Sequence, residues 1–228
     1  MNLYFLVEGK STETKIYPKW LQYLIPELVR VKYHDQVSIN NYYLISGKGY
    51  PRILYDGLEN AVDKILEMQK YDYLVMCVDA DEESVEERQR YIDDFIYAKE
   101  LNLGKTKIEV IVQNRCMETW LLGNRKMFDS RQPLEQPLSS YVDYYDVSSS
   151  DPEAMGSYDQ KNHADFHCEY LREVFRSRNT TYSKKLPNDA KERHYFDQLQ
   201  KRVADNSQDL KTFQSFLEFC SRVRDRMI

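Results

Sequence analysis

The sequence predicts an α/β fold, a mainly parallel sheet flanked by helices, followed by a helical C-terminal region. Three observations carry that expectation. Short apolar, β-branched and aromatic runs alternate with longer segments of helical periodicity through the first 122 residues, and such alternation implies right-handed crossovers onto a parallel sheet. The first run closes on Glu8-Gly9 and the strongest on Asp79-Ala80-Asp81. From residue 163 onward the apolar spacing is helical only.

Each element follows from local chemistry. Residues 3–7 read as a buried strand. Ser11-Thr12-Glu13-Thr14 offers a side-chain oxygen to the free amides of a first turn and opens a helix to about residue 24, which Pro18 weakens or kinks. Residues 42–45 read as a second strand, ended by the loop Ser46-Gly47-Lys48-Gly49. Pro51 opens a helix to about residue 69, with Ile53, Leu54, Leu58, Ala61, Ile65 and Leu66 at helical spacing. Residues 73–78 form the strongest strand, residues 84–101 a polar helix, residues 108–112 another strand and residues 114–122 a short helix. Residues 132–159 hold Pro133, Pro137, Pro152 and a Ser148-Ser149-Ser150 run and read as a long loop. Helices are expected over about residues 163–175, 190–203 and 210–226. The expected division is a metal-binding domain over residues 1–128 and a linker with a helical region over residues 129–228.

Composition narrows the class. An apolar fraction of 42% with 30% charged residues describes a soluble globular chain, and no apolar run reaches membrane-spanning length. The first residues lack a basic leader and a cleavage site, so a cytoplasmic protein is expected. Cys77, Cys116, Cys168 and Cys220 form no CxxC pair and are expected as buried free thiols. His163 and His167 stand four apart without an evident third ligand, so zinc is not expected there. The pattern of a nucleotide-triphosphatase loop is absent.

The chemistry is expected at strand ends, because ligands of open α/β sheets bind outside the carboxyl ends of the strands. Glu8 ends the first strand, and Asp79 and Asp81 end the strongest. If those strands are neighbours, three carboxylates converge, and a hard dication such as Mg²⁺ or Mn²⁺ would neutralise them. An isolated Asp-x-Asp is usually a helix cap, and an isolated Glu-Gly a turn; the order and strand-end placement of both together favour a metal site.

Leu6-Val7-Glu8-Gly9-Lys10-Ser11-Thr12-Glu13, followed by Val78-Asp79-Ala80-Asp81, resembles the Toprim domain of topoisomerases, bacterial primases and OLD-family nucleases. The likeness covers about the first half of the chain. Asn114-Arg115-Cys116-Met117-Glu118-Thr119-Trp120-Leu121-Leu122 is similar to a segment of small RloB-like Toprim proteins of prokaryotic defence loci, with Arg115 where that pattern has proline and Met117 where it has phenylalanine. The Toprim effector of the PARIS anti-phage system is a comparable small protein. The resemblance implies a Toprim-like sheet in which Glu8, Asp79 and Asp81 bind Mg²⁺ or Mn²⁺ and carry catalysis. Glu13 and Glu118 would support that site from behind.

A metal-dependent nuclease acting on DNA or RNA, tRNA included, is the function the resemblance implies, as the effector of an anti-phage system. The alternative is a non-catalytic Toprim-fold subunit bound to a defence ATPase. Implied partners are a nucleic-acid substrate and an ABC- or OLD-type ATPase encoded nearby; a homodimer is compatible, and a membrane is not expected. Strand transfer is disfavoured, since topoisomerases also need a tyrosine nucleophile in a separate domain. By the same resemblance Lys184, in Tyr182-Ser183-Lys184-Lys185, would stabilise charge on the phosphate. It lies in a stretch from Arg176 to Arg202 with eight basic residues against three acidic ones, on a chain of net charge −5. Such a stretch suits a backbone-tracking groove, with Tyr182 and Tyr195 expected to stack on bases.

Overall fold

The computed structural model of the protein describes residues 1–128 and 133–227. Its elements run β1 (Asn2–Val7), α1 (Glu13–Leu24), β2 (Val29–Val31), β3 (Asn41–Ser46), α2 (Glu59–Met68), β4 (Tyr73–Asp79), α3 (Val85–Ala98), β5 (Lys107–Gln113), α4 (Met117–Leu121), α5 (Leu138–Tyr144), α6 (His163–Ser177), α7 (Arg193–Asp205) and α8 (Lys211–Asp225). The five strands make one all-parallel sheet in the order β2-β3-β1-β4-β5, flanked by helices and consistent with a Toprim-like fold.

The centre of the sheet is built from the most apolar runs. All six residues of β1 are buried, as are residues 73–78 of β4. A strand buried on both faces reads as a continuous apolar run, which is why these two were the clearest in the sequence. In register, Val7 pairs with Ser46 on one side and with Cys77 on the other. The strand β2 was not anticipated: three residues, Val-Arg-Val, leave no periodicity to detect, and its first two residues are exposed.

Contacts group the chain into two compact units. Among the described residues the first comprises 1–78, 85–112 and 215–227, and the second 79–84, 113–128 and 133–214. The boundary expected after residue 128 adjoins residues 129–132, which lie outside the described residues. The loop after β4 joins the second unit for a visible reason: the Ala80 amide donates to Gln113 O at 2.9 Å and the Asp81 amide to Arg115 O at 2.9 Å.

Tyrosines account for much of the first core. Tyr4 meets Tyr43 and Tyr71 edge-on, and Tyr17 packs on Trp20 and Phe216. In the second unit Trp120 is fully buried against Phe213, and its indole N–H donates to Thr212 Oγ1 at 2.7 Å and Glu153 Oε1 at 3.1 Å. All four cysteines are buried and free.

Two helical expectations need correction. The segment after Pro51 begins as a π-helical turn over Ile53–Leu58 before becoming α2. The stretch expected as a long loop contains α5 and a 3₁₀ turn at Pro152–Ala154. Its prolines and serines concealed the buried pair Leu138 and Tyr141, one helical turn apart. Among the described residues no helix is long and apolar enough to cross a membrane.

Candidate active site

In the first unit, Glu8 stands immediately beyond β1. Its backbone amide continues the sheet by donating to Cys77 O at 3.0 Å, and its carboxylate Oε1 accepts the Tyr50 amide at 3.2 Å. The Tyr50 ring in turn lies 3.7 Å from the guanidinium of buried Arg88. The loop that carries Tyr50 is tied back to Glu8, because Gly49 N–H and Ser46 Oγ both donate to Glu8 O. Glu8 is thus held by main chain and side chain at once.

Glu13 is buried, and its Oε1 accepts the Gly9 amide at 3.0 Å. It closes the turn directly after Glu8. A Cβ on Gly9 would fall 2.1–2.4 Å from the Glu13 carboxylate, so only glycine lets this acid approach the turn.

The second unit holds the Asp-x-Asp pair. Asp79 is the last residue of β4, and both aspartates are partly exposed. Asp81 adopts a left-handed conformation at φ 51°, which Asp tolerates better than most residues. Arg115 straps this loop by donating from Nη1 to Asp81 O at 3.2 Å and to Glu83 O at 3.0 Å. Arg115 itself has φ 66°, a conformation the proline of the RloB-like pattern could not adopt. At the far side of the loop, Glu82 accepts the His163 amide at 2.7 Å.

In the same unit Glu118, on α4, is buried. The short helix α4 turns it inward, all five of its residues being buried. A buried carboxylate needs compensating partners. Tyr182 donates its hydroxyl to Glu118 Oε1 at 2.7 Å, and the Lys184 ammonium lies 3.8 Å from Oε2. The Glu118 charge, before every other group, holds the Lys184 ammonium above the usual lysine range, and Asp79 adds to it. Lys184 is half-exposed, at the apex of a tight turn in which the Ser183 and Leu186 amides each donate to the other residue's carbonyl. One unit thus brings Asp79, Glu118 and Lys184 into mutual electrostatic range.

No family model, no curated protein and no solved structure matches the chain.

The basic stretch is smaller than its sequence suggests. Tyr195 is buried and donates to Leu121 O at 2.7 Å, while Tyr182 is buried on Glu118, so neither ring is available for base stacking. Arg202 is buried too: it pairs with Asp209 at 2.7 Å and donates to the carbonyls of Val147 and Ser150. Arg176 and Arg193 pair with Glu173 and Asp197. Tyr182 as the partner of Glu118 was not foreseeable, since 64 residues separate them. His167 is a core residue, its Nδ1 2.7 Å from Thr119 Oγ1, and burial pushes its pKa down to about 4.

The donor chemistry at Asp79 and Asp81 fits a hard dication. Among the described residues no three His, Cys, Asp or Glu side chains form a ready cage. Mg²⁺ does not require one, because it keeps several waters and binds through one or two carboxylates.

Proposed function

We propose that the protein is a Mg²⁺- or Mn²⁺-dependent nuclease, with Asp79 and Asp81 as metal ligands and Lys184 as the phosphate-facing cation. The observation that supports this reading is the convergence of Asp79, Glu118 and Lys184 within one unit, at the carboxyl end of β4. A merely solvated lysine has no need of a buried carboxylate beneath it.

Bound to Asp79 and Asp81, the ion would lower the pKa of a coordinated water and take up charge on the phosphate oxygens. Lys184 contributes a second positive charge to those oxygens as they gain electron density. Glu118 keeps the ammonium protonated and restricts its reach, and Tyr182 fixes Glu118. Glu8 keeps the role implied by the resemblance, a carboxylate that binds the ion or accepts a proton. It follows a strand whose Val7 pairs with Cys77, two residues ahead of Asp79 in the chain. A role as an anti-phage effector alongside an ABC- or OLD-type ATPase belongs to the same proposal and rests on the resemblance alone.

The test is cleavage of labelled DNA and of total tRNA in Mg²⁺ or Mn²⁺. Wild type should cut at least one of them, and Glu8→Ala, Asp79→Ala and Lys184→Ala should not. Cleavage that survives Glu8→Ala and Asp79→Ala, or a wild type inert both alone and with an ATPase encoded beside it, would remove the reading.

A further inference from the structure

The first unit carries a cavity of about 320 Å³ that the nuclease reading does not use. Its floor is the sheet face formed by Tyr4, Leu6 and Ile45. Tyr4 and Leu6 alternate with buried Phe5 along β1, and Leu6 pairs with Ile45 across the sheet. The roof is one stripe of the helix that follows Pro51: Arg52, Asp56, Asn60 and Lys64 recur every four residues. Lys48, in the loop after β3, closes one end.

Glycines make the space. A Cβ on Gly57 would point at Leu6 Cδ1 and Gly47 Cα, 3.4 and 3.5 Å away, so any larger side chain there would enter the cavity. A Cβ on Gly47 would lie 2.6 Å from Ile53 Cβ, so glycine is required for the π-helical turn to approach this closely. Such π-turns are frequent at functional sites.

The charges at the rim are unequal. Three cations, Lys48, Arg52 and Lys64, face one carboxylate, and that carboxylate, Asp56, is paired with Arg52 at 2.9 Å. Among the described residues neither Lys48 nor Lys64 has an ion-pair partner, although Lys64 is partly buried. Neither ammonium is neutralised within the described residues, so the rim presents net positive charge to an anion. A narrow slot beside Ile45 and Gly57 under a cationic rim, at the small end of the ligand-pocket range, suits a flat base and its phosphate.

We propose that this cavity binds one nucleoside monophosphate unit, with the base against Ile45 and Gly57 and the phosphate against Lys48 and Lys64. The unit is either a free mononucleotide or the phosphorylated end of a chain, and the recognition chemistry is the same. This inference needs neither metal nor hydrolysis, so it stands or falls apart from the nuclease reading.

The experiment is calorimetric titration of the intact protein in EDTA with AMP, a 5′-phosphorylated tetranucleotide and inorganic phosphate. AMP or the tetranucleotide should bind saturably and more tightly than phosphate, and whichever is tighter identifies the source. Lys64→Met, which keeps the aliphatic stem, and Lys48→Ala should each weaken that binding about tenfold, the loss expected for one charge-assisted contact. Gly57→Val should abolish it, with an unchanged circular dichroism spectrum confirming that the fold survives. No saturable binding, binding no tighter than that of phosphate, or binding indifferent to Lys64→Met would overturn the proposal.

Discussion

The carboxylate of Glu118 is buried 3.8 Å from the half-exposed ammonium of Lys184, and the Tyr182 hydroxyl holds its other oxygen at 2.7 Å. The pair is asymmetric: the acid has lost its water and the base has not. Removing the acid's charge while keeping its shape should release the base. Glu118→Gln is therefore expected to lower the Lys184 pKa toward the ordinary lysine value and to hasten its acylation by amine reagents. Lysine-resolved NMR titration reads this directly; an unchanged Lys184 titration would show that another group holds the proton.

The turn after Glu8 depends on a missing side chain. Gly9→Ala places a methyl group on the Glu13 carboxylate, which must swing away and give up the bond from the residue 9 amide, at about 0.5–1.5 kcal/mol for one hydrogen bond. Glu13→Ala in the same chain removes the clash, so the double variant should be more stable than the sum of the two single losses. Urea unfolding of the four proteins gives the coupling, and strict additivity would contradict it.

Arg202 is 1% exposed and joins Asp209 to three backbone carbonyls, those of Gly123, Val147 and Ser150. Arg202→Leu strands those acceptors and should destabilise the second unit by about 3–5 kcal/mol, as for breaking a buried pair from one side. The hydrophobic replacement leaves Asp209 with Arg125 at 3.0 Å, which limits the loss. Chemical denaturation measures it, and a loss below about 1 kcal/mol would mean that water replaces the network.

Burial pushes the Glu153 carboxyl up to about 7, against the pull of its hydrogen bonds from Thr212. A raised carboxyl favours the protonated form in the folded state, so its contribution is full below the unfolded value near 4.5 and is lost as pH rises through about 7. Glu153→Gln keeps an acceptor for Trp120 and Thr212 and removes the titration. Relative to wild type, the variant should gain on the order of 2–3 kcal/mol between pH 4.5 and 8. His167 has the opposite sign: buried neutral, it costs stability as pH falls from about 6.5 to about 4. Thermal unfolding across this range separates the two, because only the Glu153 contribution disappears in the variant.

What could be read in the sequence was what repeats locally. The buried runs of β1 and β4 have no polar interruption, and α2, α6 and α8 show their apolar spacing openly. The edge strand β2 and the helix α5 did not, since three residues carry no period and prolines mask one turn of helix. The same divide runs through the site. Glu8, Asp79 and Asp81 stand out because strand ends are visible in sequence. The inward turn of Glu118, its bond to Tyr182 and the burial of Tyr195 and Arg202 are long-range packing events, and a local charge count took all three basic or aromatic groups for surface. The strap from Arg115 to the carbonyls of Asp81 and Glu83 likewise joins residues more than thirty positions apart.

The central claim is that Asp79 and Asp81 hold a dication beside Lys184, and Mn²⁺ binding followed by electron paramagnetic resonance tests it most directly. Wild type should bind Mn²⁺ saturably, Mg²⁺ should compete, and Asp79→Asn and Asp81→Asn should each weaken binding at least about tenfold, the scale of one lost charged contact. Lys184→Ala should bind Mn²⁺ no more weakly than wild type, because it removes a repelling charge. Mn²⁺ affinity unchanged by both aspartate substitutions, or no saturable binding by wild type, would contradict the account.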